Sequence, residues 1–179
     1  AKVDGFEADA NWRATDWLEF YGGMSYLNAR YTDFRNAGVQ VPVYDANGVP
    51  TGFTTGKEDL TGTQLPHAPD WTFFVGATIS GEIADGWKGK LTGLINYSDK
   101  FFFFPGGGGP LRADVQPSYT TAKISGSISP ADERFEVGFF VDNLTDKLTY
   151  NMRFSTAPFG AGQIPNRPRT YGIRLGFKY

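Results

Sequence analysis

Apolar and polar residues alternate strictly over stretches of about ten residues, and this period of two recurs seven times along the 179-residue chain. The C-terminal stretch is the clearest. Tyr171, Ile173, Leu175, Phe177 and Tyr179 fall in one phase, and Thr170, Gly172, Arg174, Gly176 and Lys178 in the other. A chain patterned this way cannot bury one stripe as helices; it must present two different faces as a sheet. The spacing predicts strands over 3–13, 17–31, 70–81, 87–99, 119–129, 134–143 and 169–179. No run approaches the ~18 to 20 consecutive apolar residues of a membrane-spanning helix. The 23 glycines and 11 prolines are scattered between the patterned stretches, as turns require.

Composition removes several functional classes. Without cysteine there is no disulfide framework, no thiol nucleophile and no Cys-ligated metal. A single histidine, His67, leaves no His-cluster metal site and argues against a Ser-His-Asp triad. It stands beside Pro66 in a connection and is assigned no chemical role. A formal charge of −2 offers no basic footprint for nucleic acid. No paired-carboxylate constellation appears, so the chain is read as a non-enzyme without metal or cofactor. It begins at Ala1 without a leader and is read as a mature or excised piece of something longer.

The connections differ sharply in length. Residues 14–16, 82–86 and 130–133 are tight links rich in turn residues, whereas 32–69, 100–118 and 144–168 are long. All the long ones fall at one end of the predicted sheet. Short turns at one end and long loops at the other is the layout of an antiparallel up-and-down transmembrane β-barrel. The first long connection is expected to hold a hairpin, with Val41–Tyr44 and Val49–Phe53 flanking Asp45-Ala-Asn-Gly48. Calcium binding there is discounted because Pro50 stands where the loop would need glycine.

Charge placement indicates which face meets which solvent. The apolar phase is read as free of Asp, Glu, Lys and Arg, while the other carries Glu7, Asp9, Arg13, Lys88, Lys90, Lys123, Arg174 and Lys178. Trp12, Trp71, Trp87, Tyr97 and Tyr171, with Tyr26 and Tyr179, sit near predicted strand ends in the apolar phase, where membrane-interface aromatics belong. The alternative is a soluble barrel of lipocalin type with the apolar face inward. Seven strands cannot close a bacterial barrel, since these have even strand numbers and no open edge can lie in hydrocarbon. More strands are therefore expected from outside these residues.

Several segments resemble TonB-dependent outer-membrane receptors. They are Gly5-Phe-Glu-Ala-Asp-Ala-Asn-Trp12, Tyr26-Leu-Asn-Ala-Arg-Tyr-Thr-Asp33, Leu65-Pro-His-Ala-Pro-Asp-Trp71, Val141-Asp-Asn-Leu-Thr-Asp-Lys147 and the tail from Pro168 to Tyr179. The resemblance covers nearly the whole chain. It implies that residues 1–179 are the C-terminal portion of the barrel domain, about seven strands of a roughly 22-stranded barrel. It also implies a plug domain outside this chain, coupling to the TonB complex, a lipid bilayer around the barrel, and import of a scarce substrate, most often a ferric siderophore. Phe177 and Tyr179 would be the signal read by the barrel-assembly machinery. A porin or adhesin of the outer membrane is a further alternative.

Substrate contacts are sought in the loops. Phe101-Phe-Phe-Phe104, followed by Pro105-Gly-Gly-Gly-Gly-Pro110, offers Phe102 and Phe104 as a stacking platform; alternatively the phenylalanines only finish the two strand faces. In the last loop Tyr150, Arg153 and Arg167 are candidates for an anionic ligand, against ordinary packing and pairing with interior carboxylates. Asp142 and Asn143 are read as a strand-end turn.

Overall fold

The computed structural model describes residues 1–106, 114–156 and 160–178. The described residues form strands and turns only: β1 (Lys2–Arg13), β2 (Leu18–Arg30), β3 (Ala37–Tyr44), β4 (Pro50–Glu58), β5 (Trp71–Ala84), β6 (Trp87–Ser98), β7 (Phe101–Phe102), β8 (Val115–Gln116), β9 (Tyr119–Pro130), β10 (Phe135–Asp142), β11 (Tyr150–Thr156), β12 (Gly160–Pro165) and β13 (Thr170–Phe177). Seven of them pair in the order β1-β2-β5-β6-β9-β10-β13, every neighbour antiparallel. These are the seven predicted strands, with bounds shifted by a residue or a few. Tyr179 lies outside the described residues, as does most of the glycine run.

The other strands stand above the sheet as two hairpins and a two-residue pair. The β3–β4 hairpin is the expected one, longer than predicted. Asp45 makes its turn, its Oδ1 accepting the backbone N–H of Asn47 and Val49 at 2.8 Å each. The β11–β12 hairpin and the β7–β8 pair have no alternation strong enough to predict them, so two of the three long connections are more ordered than their sequences indicate.

The apolar face stays exposed: Tyr171 and Ile173 are each 77% accessible and Phe177 74%. The buried apolar residues, Ala29, Ala37, Leu60, Ala68 and Phe103, lie instead toward the loop end. A soluble barrel would enclose the face that is open here.

Aromatic residues bound this face in two oblique lines. At the loop end Phe6 meets Tyr26 and Trp71, and Phe73 stacks on Tyr97 with centroids 4.6 Å apart. At the turn end Trp12 stacks on Phe20, and Trp87 meets Phe135, which is paired with Phe177. Following one hydrogen-bonded row from Tyr171 leads through Val141, Ile124, Gly93, Ala77 and Phe20 to Trp12. The loop-end aromatic of the last strand thus shares a row with the turn-end aromatic of the first.

Asp4, Arg30 and Asp99 do occur in the apolar alternation, contrary to the reading that it carries no charge. They lie at or beyond the loop-end aromatic line. Asp4 is opposite Asn28 and pairs with Lys2 at 2.8 Å. Arg30 is opposite Lys2 and its Nη2 donates to both Asp70 oxygens at 2.8 Å. Asp99 accepts the Tyr97 hydroxyl at 2.6 Å. The charge-free band is the part between the lines.

On the polar face three rings lie flat over glycines of the adjacent strand. Tyr21 covers Gly76, Phe74 covers Gly23 and Phe140 covers Gly172, leaving no room for a Cβ. Gly76→Val should destabilise the fold by about 1–3 kcal/mol in urea unfolding. Tyr21→Ala in the same background should recover part of that loss, and strict additivity of the two would show that ring and glycine do not interact.

At the turn end Lys88 Nζ donates to Glu133 Oε1 at 3.0 Å. This hydrogen bond, followed by the charges of Lys88 and Lys178, holds the Glu133 carboxyl below its ordinary value. A lowered carboxylate pKa means the link is complete at neutral pH and is lost as pH falls through that lowered value. A carboxyl NMR titration should place Glu133 below the usual glutamate range, and Lys88→Gln should raise it towards that range, with the charge of Lys178 still acting.

Candidate functional site

The polar face and the loop cluster above it are the two places where side chains converge. Along the face, Lys90, Lys123, Ser127, Glu136, Asp142 and Arg174 line a cleft of 460 Å³. Register explains part of it: Lys123 and Asp142 come from neighbouring strands and pair at 2.9 Å. Asp142 is thus an ion-pair partner rather than a turn residue. Asn143 makes the turn, with φ of 50°, its Oδ1 accepting Lys147 N–H and its Nδ2 donating to Lys147 O, both at 3.0 Å. Asp146 continues it by accepting Arg169 N–H at 3.0 Å, which ties the last loop's two ends together.

The loop cluster begins with the return of the first long connection. Leu60 is buried, and its N–H donates to Phe34 O at 2.9 Å. Gln64 Nε2 donates to Ala68 O at 2.6 Å and to Asp70 Oδ1 at 3.2 Å, beside the Arg30–Asp70 pair. This network fixes the segment from Leu65 to Trp71 as the chain re-enters the sheet. His67 sits there with φ of 54°, its N–H donating to Phe102 O at 2.8 Å. Its ring lies 5.5 Å from Phe101 and 5.3 Å from Phe103. His67 therefore joins the first loop to the second, a packing role that its position beside a proline does not reveal.

Of the four phenylalanines, Phe103 is buried, Phe101 and Phe102 are half-buried and Phe104 is exposed. The run does not simply finish the two faces of a strand: Phe101 and Phe103 pack on each other and on His67, and the candidates Phe102 and Phe104 are the other two rings. Phe102 is paired with Val115, and Phe103 N–H donates to Asp114 O at 2.9 Å.

The second loop meets the third at β8 and β11. Gln116, 1% accessible, accepts Tyr150 N–H on its Oε1 at 2.8 Å and donates from Nε2 to Pro117 O at 2.9 Å. Arg153 Nη1 donates to Val115 O at 2.7 Å, and the guanidinium lies 4.6 Å over the Tyr150 ring. Arg153 thus pairs with a carbonyl and a ring, not with an interior carboxylate. Two buried atoms here have no partner, Arg153 Nε and Asp114 Oδ1. Arg167 is exposed beyond β12, apart from this joint.

Phe102, Tyr150 and Arg153 are thus brought together through Val115 and Gln116, Phe104 adjoins them in sequence, and Arg167 stands apart. Asp114 and Gln116 were not singled out from the sequence. Their importance comes from burial between two loops, and a Gln-Pro dipeptide carries no signal of it. Among the described residues no three His, Cys, Asp or Glu side chains are grouped to hold a metal ion.

Residues 1–144 match the family model described as TonB dependent receptor-like, beta-barrel. The siderophore receptor PiuA from Acinetobacter baumannii superposes with a TM-score of 0.68 at 20% identity, over 99% of this chain and 22% of that one. The ferric yersiniabactin uptake receptor FyuA from Yersinia pestis gives 0.69 at 17% identity, over 97% and 23%. The chain thus spans under a quarter of each receptor, and at these identities the likeness is one of fold. No curated protein matches the sequence. With seven antiparallel strands, an exposed apolar face and the family model matched over four-fifths of its length, the chain belongs to the TonB-dependent receptor-like β-barrel family.

Proposed function

We propose that residues 1–179 are the C-terminal portion of an outer-membrane receptor barrel that binds a scarce substrate, a ferric siderophore, and imports it with TonB-coupled energy. The observation that carries the membrane placement is the slant of the aromatic lines. Phe6 of β1 and Tyr171 of β13 both mark the loop-end boundary, yet their rows are six residues apart across six strand-to-strand steps. At ~3.3 Å per residue and ~4.8 Å per step, the strands lean about 35° from the normal to those lines. Transmembrane barrels lean by about 35–45°. The turn-end line from Trp12 to Phe177 is displaced by the same six rows.

In this reading a lipid bilayer covers the band between the lines, and water or a plug domain meets the polar face. β1 and β13 are the two edges of the sheet and would be joined to the remaining strands of the same barrel, because an unpaired edge is untenable in hydrocarbon. Coupling to the TonB complex would run through parts outside these residues. The barrel-assembly machinery would recognise the C-terminal strand, with Phe177 and Tyr179 as its signal. The same loop cluster would supply the substrate contacts: Phe102 and Phe104 by stacking, Tyr150 by its ring, and Arg153 and Arg167 by charge. The siderophore assignment draws on the two superposed receptors, whose names describe such uptake.

Two residues of β5 on opposite faces test the membrane placement. Val75→Arg, near the middle of the band between Phe73 and Ile79, should lower the unfolding free energy of the full-length receptor in lipid vesicles by about 2–4 kcal/mol. Ser80→Arg, on the polar side of the same strand, should change it by under about 1 kcal/mol. Equal losses would remove the bilayer from the apolar face.

For the cargo, tryptophan fluorescence of the full-length receptor in detergent should be quenched saturably by a ferric tris-catecholate or a ferric tris-hydroxamate. Arg167→Ala should weaken that binding about tenfold, as loss of a charge-assisted contact does. Silence towards both ferric probes, with saturation by a cobalamin or a glycan, would assign another cargo.

A further inference from the structure

We propose that Gln116 is a positioning residue that locks the second external loop onto the third and thereby sets the orientation in which Tyr150 and Arg153 meet ligand. This rests on the placement of substrate contacts in the loop cluster. Gln116 is the most deeply buried polar side chain among the described residues, and both ends of its amide are used. The Oε1 holds the backbone N–H of the first residue of β11, which follows β9 and β10 and belongs to the third loop. The Nε2 holds the carbonyl of Pro117, the residue that follows β8. An amide used at both ends inside a buried joint cannot rotate without leaving donor and acceptor unsatisfied.

The consequence reaches Arg153 through the backbone. Tyr150 begins β11, so holding its N–H sets where the strand starts relative to Val115 and Gln116. Three residues along, Arg153 Nη1 reaches the carbonyl of Val115, the residue before Gln116. The guanidinium plane is then laid on the Tyr150 ring. One edge of the joint is thus fixed by Gln116 and the other by Arg153. Phe102 is carried with it, since it is paired with Val115. Arg153 Nε and Asp114 Oδ1 are both buried without a hydrogen-bond partner, so Arg153 keeps donor capacity beyond the bond that fixes it.

The test uses the full-length receptor with spin labels at Lys100→Cys and Asn151→Cys, two exposed positions beside β7 and on β11, in a background free of other cysteines. Gln116→Glu, kept protonated by burial, retains an oxygen for Tyr150 N–H and an O–H for Pro117 O; Gln116→Leu removes both, and Gln116→Asn withdraws them by one methylene. Wild type and Gln116→Glu should give one narrow inter-label distance, and Gln116→Leu and Gln116→Asn a broadened one. With the ferric tris-catecholate or tris-hydroxamate that binds wild type, Gln116→Leu should weaken affinity about tenfold. Gln116→Glu should stay within about threefold, and all variants should keep the wild-type urea midpoint of the barrel. An unchanged distance in Gln116→Leu and Gln116→Asn overturns the proposal, as does a loss of affinity that appears only with a lowered barrel midpoint. If no ferric probe binds wild type, the cargo assignment fails separately, and the distances still decide whether Gln116 joins the loops. Should Gln116→Leu not assemble, Gln116→Asn against Gln116→Glu gives the same comparison.

Discussion

Backbone hydrogen bonding across seven antiparallel strands is the constraint on which the rest of this structure depends. A sheet with an apolar band across one face can satisfy its peptide groups there only sideways, through its neighbours. The ladder does this without interruption from β2 to β10, with an irregularity in register only beside the tight turn between β5 and β6. It also fixes every side chain to one face, because a slip by a single residue would exchange the two faces. The glycines under Tyr21, Phe74 and Phe140 follow from this. Large rings on the polar face can lie down only where the adjacent strand has no side chain.

The same ladder explains why charge and aromatic residues are placed obliquely. In rows perpendicular to the strands, Trp12 and Tyr171 look inconsistent, one at a turn end and one at a loop end. In a leaning sheet the inconsistency disappears, and Asp4, Arg30 and Asp99 all fall at or beyond the boundary. Burial of charge is avoided by height along the strand rather than by phase alone. Alternation identifies the face, but only the register identifies the band.

That distinction also separates what was legible in the sequence from what was not. The seven long strands could be placed because each repeats a period-two pattern over eight residues or more, and the β3–β4 hairpin because Asp45 and Gly48 mark its turn. The short strands β7 and β8 are two residues each and carry no period. The β11–β12 hairpin mixes polar and apolar residues on both faces, so no solvent boundary patterned it. Contact candidates chosen by residue type depend on geometry that residue type does not carry. Tyr150 and Arg153 meet although they are three residues apart on one strand, because the register shifts between Tyr150 and Met152 and the simple alternation of faces is broken there. In the phenylalanine run it is Phe101 and Phe103, not the candidates Phe102 and Phe104, whose rings pack on His67. Gln116 and Asp114 gained their roles from burial between loops distant in sequence, which no local pattern encodes.

Loop order in this molecule comes from side chains acting across loops, not from regular structure within them. His67 holds Phe102 from the first loop, Gln116 holds Tyr150 from the second, and Asp146 closes the third on Arg169. Each tie uses a backbone group on one side, so it fixes position rather than merely adding contact area. The buried apolar residues Leu60 and Phe103 sit among these ties, giving the cluster a small core separate from the sheet's exposed face. The three loops are therefore linked in series at the end of the sheet, the first to the second at His67 and the second to the third at Gln116.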